Sequence, residues 1–187
     1  MTESEGDFHA QGRFVEPEKV ITHFHLREGE IVADYGVGFG YFIPCIVKAV
    51  GSEGTVLALD IQKNLLEKVA IDSEKNGWNN VQIHWADIDE EQGIPLQNGE
   101  VEVGLLINTL FQLEKKDVAL REIFRTLKSG GKLYIIDWTE SFGGLGPQVG
   151  DVVDSDTAVA LAETAGFVLE RDFPAGEHHY GLAFRKP

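Results

Sequence analysis

The chain has 187 residues, with 31 acidic side chains against 16 Lys and Arg, and a net charge of −15. That length supports one domain with a single covered sheet, and the charge argues against a nucleic-acid partner, because phosphate contacts supply most of that affinity. From the sequence we expect neither a membrane-spanning segment nor a secretory leader, and the single cysteine, Cys45, suits a reducing compartment. We therefore expect a cytoplasmic protein that does not act on membranes.

The chain starts with an acidic, polar segment. We expect residues 1–12 to form a disordered tail and residues 13–187 to form a single domain. A short helix with Pro17 in its first turn should follow. His23 and His25 would lie on different faces of that helix, so a shared metal site is not expected there, nor does any other ligand spacing predict one.

The most informative segment is an apolar strand, residues 31–33, followed by an acid and alternating glycines. Asp34 ends the strand, and Gly36, Gly38 and Gly40 form the turn that leads into a helix. A turn without side chains lets a ligand lie against the backbone, and the helix that follows presents free N–H groups. The pattern predicts a site for a small molecule.

A dinucleotide fits this turn poorly. The dinucleotide pattern needs a glycine at the position of Tyr41, whereas the third glycine here comes one residue earlier. An acid at the edge of the turn would also repel a pyrophosphate. A nicotinamide-dependent oxidoreductase is therefore the second hypothesis.

The run Asp34-x-Gly36-x-Gly38-x-Gly40 resembles the first motif of the class I S-adenosylmethionine-dependent methyltransferases. Their cofactor carries an amino group and a sulfonium, which suits an acidic edge. The resemblance implies that this loop, including Val37, binds S-adenosylmethionine.

The next strand, residues 55–60, ends in Asp60. A carboxylate at this strand tip can accept hydrogen bonds from both hydroxyls of a ribose. The resemblance gives Asp60 that role and places Ile61 against the adenine. The alternative is that Asp60 caps a helix over residues 62–76.

Two further strand ends carry matching residues. After the strand at residues 81–85, the resemblance implies that Asp87 reaches the adenine amino group and that Ile88 covers the ring. Asp87 also begins an acidic run that would suit a solvated loop. Asn108, after the strand at residues 101–107, matches a polar position beside the methyl group, although Asn at a strand end is also a common turn former.

The rest of the chain completes the pattern of this family. A helix that ends at Gly130-Gly131 precedes a fifth strand, and a hairpin at residues 174–177 joins the last two strands. Resemblance over roughly residues 14–187 implies an α/β fold: a Rossmann-like, doubly wound, seven-stranded sheet of order 3-2-1-4-5-7-6 with strand 7 antiparallel. It is closest to small soluble members similar to the quinone-biosynthesis C-methyltransferases.

The acceptor side is less defined by sequence. His178 and His179 open the last strand, and alternation lets only one of the two histidines face the pocket. We select His178, with Tyr180, as the candidates for proton transfer, although a pair of histidines here could also simply cap the hairpin. Phe14, Phe111 and Trp138 are candidate contacts for a substrate. The stretch between Lys132 and Arg171 contains seven acids and no Lys or Arg, which disfavours an anionic acceptor if it lines the site.

We expect a methyltransferase that acts on a small neutral or cationic acceptor by in-line transfer. A third hypothesis is a non-catalytic protein that binds S-adenosylmethionine, because the sequence shows no obvious catalytic base. The oligomeric state does not follow from these patterns.

Overall fold

The computed structural model describes residues 15–142 and 146–187. The expected tail at residues 1–12 and the candidate substrate contact Phe14 lie outside these residues. The sheet has seven strands in the order β3-β2-β1-β4-β5-β7-β6. Strands β1 to β5 pair in parallel, and β7 pairs antiparallel with both β5 and β6. The architecture and strand order predicted from the sequence are confirmed.

The strands and helices alternate along most of the chain. The strands are β1 (Ile31–Tyr35), β2 (Thr55–Asp60), β3 (Val81–Trp85), β4 (Val101–Ile107), β5 (Leu127–Trp138), β6 (Val168–Pro174) and β7 (His179–Arg185). The helices are α1 (Pro17–Val20), α2 (Ile43–Val50), α3 (Lys63–Asn76), α4 (Lys116–Thr126) and α5 (Ser155–Thr164), with 3-10 turns at Ile21–His23 and Leu110–Gln112. None of the helices in the described ranges is both long and apolar enough to cross a membrane.

Both faces of the sheet are buried, as the apolar strands predict. Successive side chains of a strand point to opposite faces, so Val32 packs in one core and Ala33 in the other. Tyr35 crosses its core to Thr126, where the two hydroxyl groups are 2.6 Å apart. The two cores hold the carboxyl ends of β1, β2 and β4 side by side at one edge.

The junction between α4 and β5 differs from the sequence prediction. The helix ends at Thr126, and Leu127 already pairs with Val101 of β4, before the Gly-Gly pair. The next pair joins Val103 to Lys132, so the register of the pairing shifts over residues 128–131. Burial of Leu127 in the core favours this early strand start, and Gly130-Gly131 comes after the helix has already ended.

The amino-terminal helix is also shorter than expected. It ends at Val20, and His23 lies in the following 3-10 turn. His25 comes after that turn with a φ of 49°, a left-handed conformation. The two histidines therefore do not share a helix.

Candidate functional site

A cavity of about 960 Å³ opens at the carboxyl ends of the strands. This is where open parallel sheets bind ligands. Eleven of the residues predicted from sequence line it: Asp34, Gly36, Val37, Gly38, Asp60, Ile61, Asp87, Ile88, Asn108, Phe111 and Trp138. The lining does not include Gly40, His178 or Tyr180. Most of the predicted cofactor residues therefore meet in one cavity.

The glycine turn is held against β2 by its own backbone. The N–H groups of Gly36 and Val37 both donate to the carbonyl of Leu59, at 2.9 Å each. A Cβ at Gly36 would lie 2.5 Å from Oγ1 of Thr109, whereas a Cβ at Gly38 would meet no side chain within 4 Å. Gly36 therefore allows the turn to pack closely against Thr109, and Gly38 leaves room for a ligand above the turn.

Asp60 is fixed from two sides. Its Oδ2 accepts a hydrogen bond from the Gly38 N–H at 2.9 Å, and its Oδ1 accepts one from the Gln62 N–H at 2.8 Å. The N-cap of α3 is Gln62, two residues later, so Asp60 does not cap the helix as the alternative interpretation proposed. Each carboxylate oxygen keeps a free lone pair that can accept from a ligand hydroxyl.

Asp34 is buried beside Asp60, with 3% of its surface exposed. Burial, and then the charge of Asp60, raise the pKa of the Asp34 carboxyl to about 7. A buried acid whose negative charge is disfavoured in this way is stabilised in its charged form by the arrival of a cation. The electrostatics of this edge thus suit a positively charged ligand.

The opposite wall of the cavity follows β2 and β3. Ile61 is 51% exposed and its carbonyl accepts a hydrogen bond from the Trp85 indole Nε1–H at 2.9 Å. Ile88 is buried next to Asp87. Two apolar side chains near an acid suit an aromatic ring that bears an amino group.

The acidic run after Asp87 is structural as well as solvated. The Asp89 carboxylate accepts hydrogen bonds from the N–H groups of Glu114 and Lys115, at 2.9 and 3.1 Å. These groups immediately precede α4, so Asp89 ties the start of that helix to a distant loop. The same contacts hold the rim of the cavity beside Asp87.

Asn108 occupies a left-handed conformation, with a φ of 53°. Its backbone N–H donates to the carbonyl of Ile136 at 2.8 Å, which ties the end of β4 to β5. The side-chain Oδ1 is buried and has no hydrogen-bond partner. An unsatisfied acceptor in a cavity is suited to a ligand that carries N–H or O–H groups.

The two candidate catalytic residues are placed differently from the sequence hypothesis. His178 precedes β7, and its Nδ1 lies 2.7 Å from Oε1 of Glu140 while its ring stacks on Phe142 at 3.9 Å. Tyr180 lies opposite Asp137, and its side chain packs on the core cluster of the other sheet face. Alternation along β7 instead brings His179 to the cavity, opposite Trp138. The geometry therefore does not support His178 or Tyr180 as groups that reach a substrate.

The cavity lining also contains residues that the sequence patterns did not single out, among them Phe39, Gln62, Leu65 and Thr109, and it contains His179 in place of the selected His178. Phe39 lies between two glycines of the motif, and Gln62 follows the acid of β2, so proximity to those motifs was an available signal. His179 carried the same signal as its neighbour, and the choice between them depended on the register of the hairpin.

Within the part of the chain that the structure describes, no group of three or more His, Cys, Asp or Glu side chains is arranged to hold a metal ion. The unsatisfied Asn108, the open space above Gly38 and the paired acids of β1 and β2 together fit a cationic nucleoside. They do not depend on a metal to do so.

Comparisons with known proteins agree with this chemistry. The family model described as a methyltransferase domain matches residues 26–166. The ubiquinone/menaquinone biosynthesis C-methyltransferase UbiE of Vibrio campbellii is 29% identical over 153 residues, which are 74% of this chain and 58% of that protein. Its counterpart from Idiomarina loihiensis is 30% identical over 154 residues, 74% of this chain and 60% of that protein. The chain thus spans somewhat over half the length of these curated relatives.

A solved structure resembles the whole fold. The crystal structure of a SAM dependent methyltransferase from Aquifex aeolicus has a TM-score of 0.86 and 28% identity, and the match covers 95% of this chain and 93% of that one. Family membership removes the support for the nicotinamide-dependent alternative. The chain belongs to the S-adenosylmethionine-dependent methyltransferase family, and its cofactor is S-adenosylmethionine.

Proposed function

We propose that the protein transfers a methyl group from S-adenosylmethionine to a small neutral or cationic acceptor by in-line displacement. The single observation that carries the proposal is the double anchoring of Asp60 to Gly38 and Gln62 beside the buried Asp34. S-adenosylmethionine supplies a methyl group that is already activated on a sulfonium.

The chain's own residues would hold this cofactor in the following roles. Asp60 accepts from the ribose hydroxyls, and Ile61, Ile88 and Asp87 surround the adenine. Asp34 offers a buried carboxyl that a cationic ligand would favour in its charged form, and Asn108 an unsatisfied oxygen, to the amino-acid part of the cofactor. These assignments follow from the chemistry of each group, and they extend the sequence hypothesis to a defined cavity.

The residues contribute to the reaction mainly by position and exclusion of water. Holding two reactants in line supplies, in principle, about 7–11 kcal/mol of the barrier reduction. Phe111 and Trp138 line the cavity with aromatic surface on the acceptor side. A flat or apolar acceptor is best suited to that surface.

The charge of the cavity supports a neutral or cationic acceptor. Among its described lining residues Lys115 is the one Lys or Arg, and its Nζ is already paired with Glu90 at 2.6 Å. Six acids line the same cavity: Asp34, Asp60, Asp87, Asp89, Glu90 and Glu114. An anionic acceptor would meet repulsion without a free cation to offset it.

The proposal is tested by transfer of labelled methyl groups to matched aromatic acceptors that carry a hydroxyl, an ammonium or a carboxylate. We expect transfer to the neutral or cationic compounds and at least tenfold less to the carboxylate. Calorimetry with S-adenosylhomocysteine tests the cofactor site separately. Preference for the carboxylate would contradict the acceptor class, and absence of cofactor binding would contradict the function.

A cytoplasmic location and the absence of a nucleic-acid acceptor remain proposals based on the net charge of −15 and the single cysteine.

A further inference from the structure

His179 is a buried histidine on the acceptor side of the cavity. Its position in β7 pairs with Trp138 of β5, and the two rings lie with centroids 4.2 Å apart. Only 7% of its surface is exposed, yet it contributes to the cavity lining. The residue is therefore buried at the wall of the cavity, packed on the indole of Trp138.

The hydrogen bonding of the ring determines its tautomer. Nδ1 lies 2.8 Å from the carbonyl oxygen of Glu177. Because a carbonyl can only accept, Nδ1 carries the proton and Nε2 presents a lone pair. Nε2 is buried and has no hydrogen-bond partner. Native proteins rarely leave such a group unsatisfied, and a ligand that donates a proton or a hydrogen bond would complete it.

The surroundings disfavour protonation of this ring. Burial lowers the pKa of the His179 imidazole; the contact with the Glu177 carbonyl opposes this, and the neighbouring His178 adds to the lowering. His178 itself lies 2.7 Å from Oε1 of Glu140 on the side away from the cavity lining. Tyr180 and Asp137 lie opposite each other on the other face of the sheet. A neutral imidazole with a free Nε2 lone pair is the form that acts as a base.

Resting on the proposed methyl transfer, we propose that His179 is the general base of the reaction and that its Nε2 takes the hydroxyl proton of a phenol-class acceptor. This role deepens the function above, because it names both the group that removes the proton and the class of acceptor.

The proposed proton transfer exchanges one O–H bond for one N–H bond. The O–H bond of the acceptor breaks, its electron pair stays on oxygen, and the proton forms an N–H bond at Nε2. The imidazolium then releases that proton to water after the product leaves. A phenol has a pKa of about 10, within reach of an imidazole, whereas an alkyl alcohol is far less acidic. The aromatic wall formed by Trp138 and Phe111 also suits a flat ring.

Access to Nε2 requires a local movement. The atom is sealed from solvent, with the Trp138 ring packed against the histidine. The backbone at Gly146 also lies against that indole, since a Cβ there would come within 2.5 Å of Trp138 Cε2. An acceptor therefore reaches the base by displacing the Trp138 ring or the turn at Gly146.

The first test is nuclear magnetic resonance of the side-chain nitrogens of ¹⁵N-labelled protein saturated with S-adenosylhomocysteine. We expect the His179 signals at pH 7 to show a proton on Nδ1 and none on Nε2, and the Nε2 signal to shift when phenol or 4-nitrophenol is added. His179→Asn assigns the signals. A proton on Nε2, or a signal unmoved by either phenol, would overturn the role.

The second test measures methyl transfer to the same phenols. His179→Asn, whose amide can still donate to the Glu177 carbonyl, should lower kcat by about 10²- to 10⁴-fold, with imidazole restoring part of the loss. Its affinity for S-adenosylhomocysteine should stay within twofold of the wild type. His25→Asn, at an exposed position with a left-handed φ, is the matched control.

The outcomes separate the two proposals. If the wild type fails to bind S-adenosylhomocysteine, the proposed function fails and the role of His179 fails with it. If S-adenosylhomocysteine binds to the wild type but His179→Asn transfers methyl groups as fast as the wild type, only the assignment of His179 as the base is wrong.

Discussion

The Oδ2 atom of Asp60 accepts a hydrogen bond from the backbone N–H of Gly38 at 2.9 Å. This contact joins the acid that ends β2 to the glycine turn that follows β1. Two motifs 22 residues apart in the chain thus form one binding surface. The carboxylate is oriented before any ligand arrives, which reduces the ordering that binding requires.

Asp60→Ala should weaken binding of S-adenosylhomocysteine by about 10- to 150-fold. The change removes hydrogen bonds to a charged group, which contribute roughly 1.5–3 kcal/mol. Isothermal calorimetry measures the effect. Asp72→Ala, which removes an exposed acid paired with Lys68 on α3, is the control for charge. Affinity of Asp60→Ala within twofold of the wild type would contradict the assignment.

Asp34→Asn should change how stability depends on pH. Because the folded-state pKa of Asp34 is raised to about 7, the folded protein holds a proton that the unfolded chain has released above about pH 4. Stability from this group therefore falls as the pH rises from about 4 to about 7. We expect the wild type to lose roughly 2–3 kcal/mol more than the variant between pH 5 and pH 8.

Urea unfolding at the two pH values measures this difference. Asp137, with a pKa raised to about 6 by burial, contributes in the same direction to both proteins and cancels in the comparison. Parallel stability profiles for the wild type and Asp34→Asn would show that Asp34 does not hold a proton.

Two glycine substitutions in the same turn should differ in their main effect: Gly36→Ala should mainly reduce stability, and Gly38→Ala should mainly reduce cofactor affinity. Gly36→Ala places a methyl group 2.5 Å from Thr109 Oγ1, and we expect it to reduce stability by about 2–4 kcal/mol through overpacking and backbone strain. Gly38→Ala points into open space, so its strain cost should be about 1–2 kcal/mol.

Binding distinguishes the pair further. The methyl group of Gly38→Ala enters the cavity and should lower affinity for S-adenosylhomocysteine more than tenfold. Thermal unfolding and calorimetry on both variants provide the comparison. A stable Gly36→Ala together with normal binding by Gly38→Ala would mean that the turn does not contact the cofactor.

Trp85→Phe should reduce cofactor affinity by about three- to tenfold. The indole Nε1–H donates to the Ile61 carbonyl at 2.9 Å, and a neutral hydrogen bond of this kind contributes about 0.5–1.5 kcal/mol. Loss of the bond lets Ile61 move from its place at the cavity wall. Trp78→Phe changes a partly buried indole that follows the end of α3 and does not line the cavity, so it should leave affinity unchanged. Equal effects of the two variants would argue against a specific role for Trp85.

Gly146→Ala should expose Trp138. Its new Cβ would lie 2.5 Å from the indole, so the turn must lift away from the ring. In a background in which Trp78 and Trp85 are Phe, quenching of the remaining fluorescence by acrylamide should increase. Gly150→Ala, where a Cβ meets no atom within 4 Å, is the matched control and should behave like its parent.

Short-range patterns were sufficient for the fold and for the cofactor side of the site. Apolar runs that end in Asp34 or Asp60 predict buried parallel strands, and the carboxyl ends of such strands meet at one edge whatever the details of packing. The alternating glycines act on the backbone of their own turn. Each of these signals lies within a dozen residues, so no distant contact is needed to interpret it.

Long-range contacts determined the features that the sequence patterns did not predict, namely the contacts of Asp89 and the choice between His178 and His179. The hydrogen bonds from Glu114 and Lys115 to Asp89 join two segments that are distant in sequence. His178 and His179 are chemically identical neighbours, and a shift of one residue in the hairpin exchanges the faces to which they point. Pairing of β7 with β5 places His179 opposite Trp138, because the antiparallel register is set by the packing of both cores.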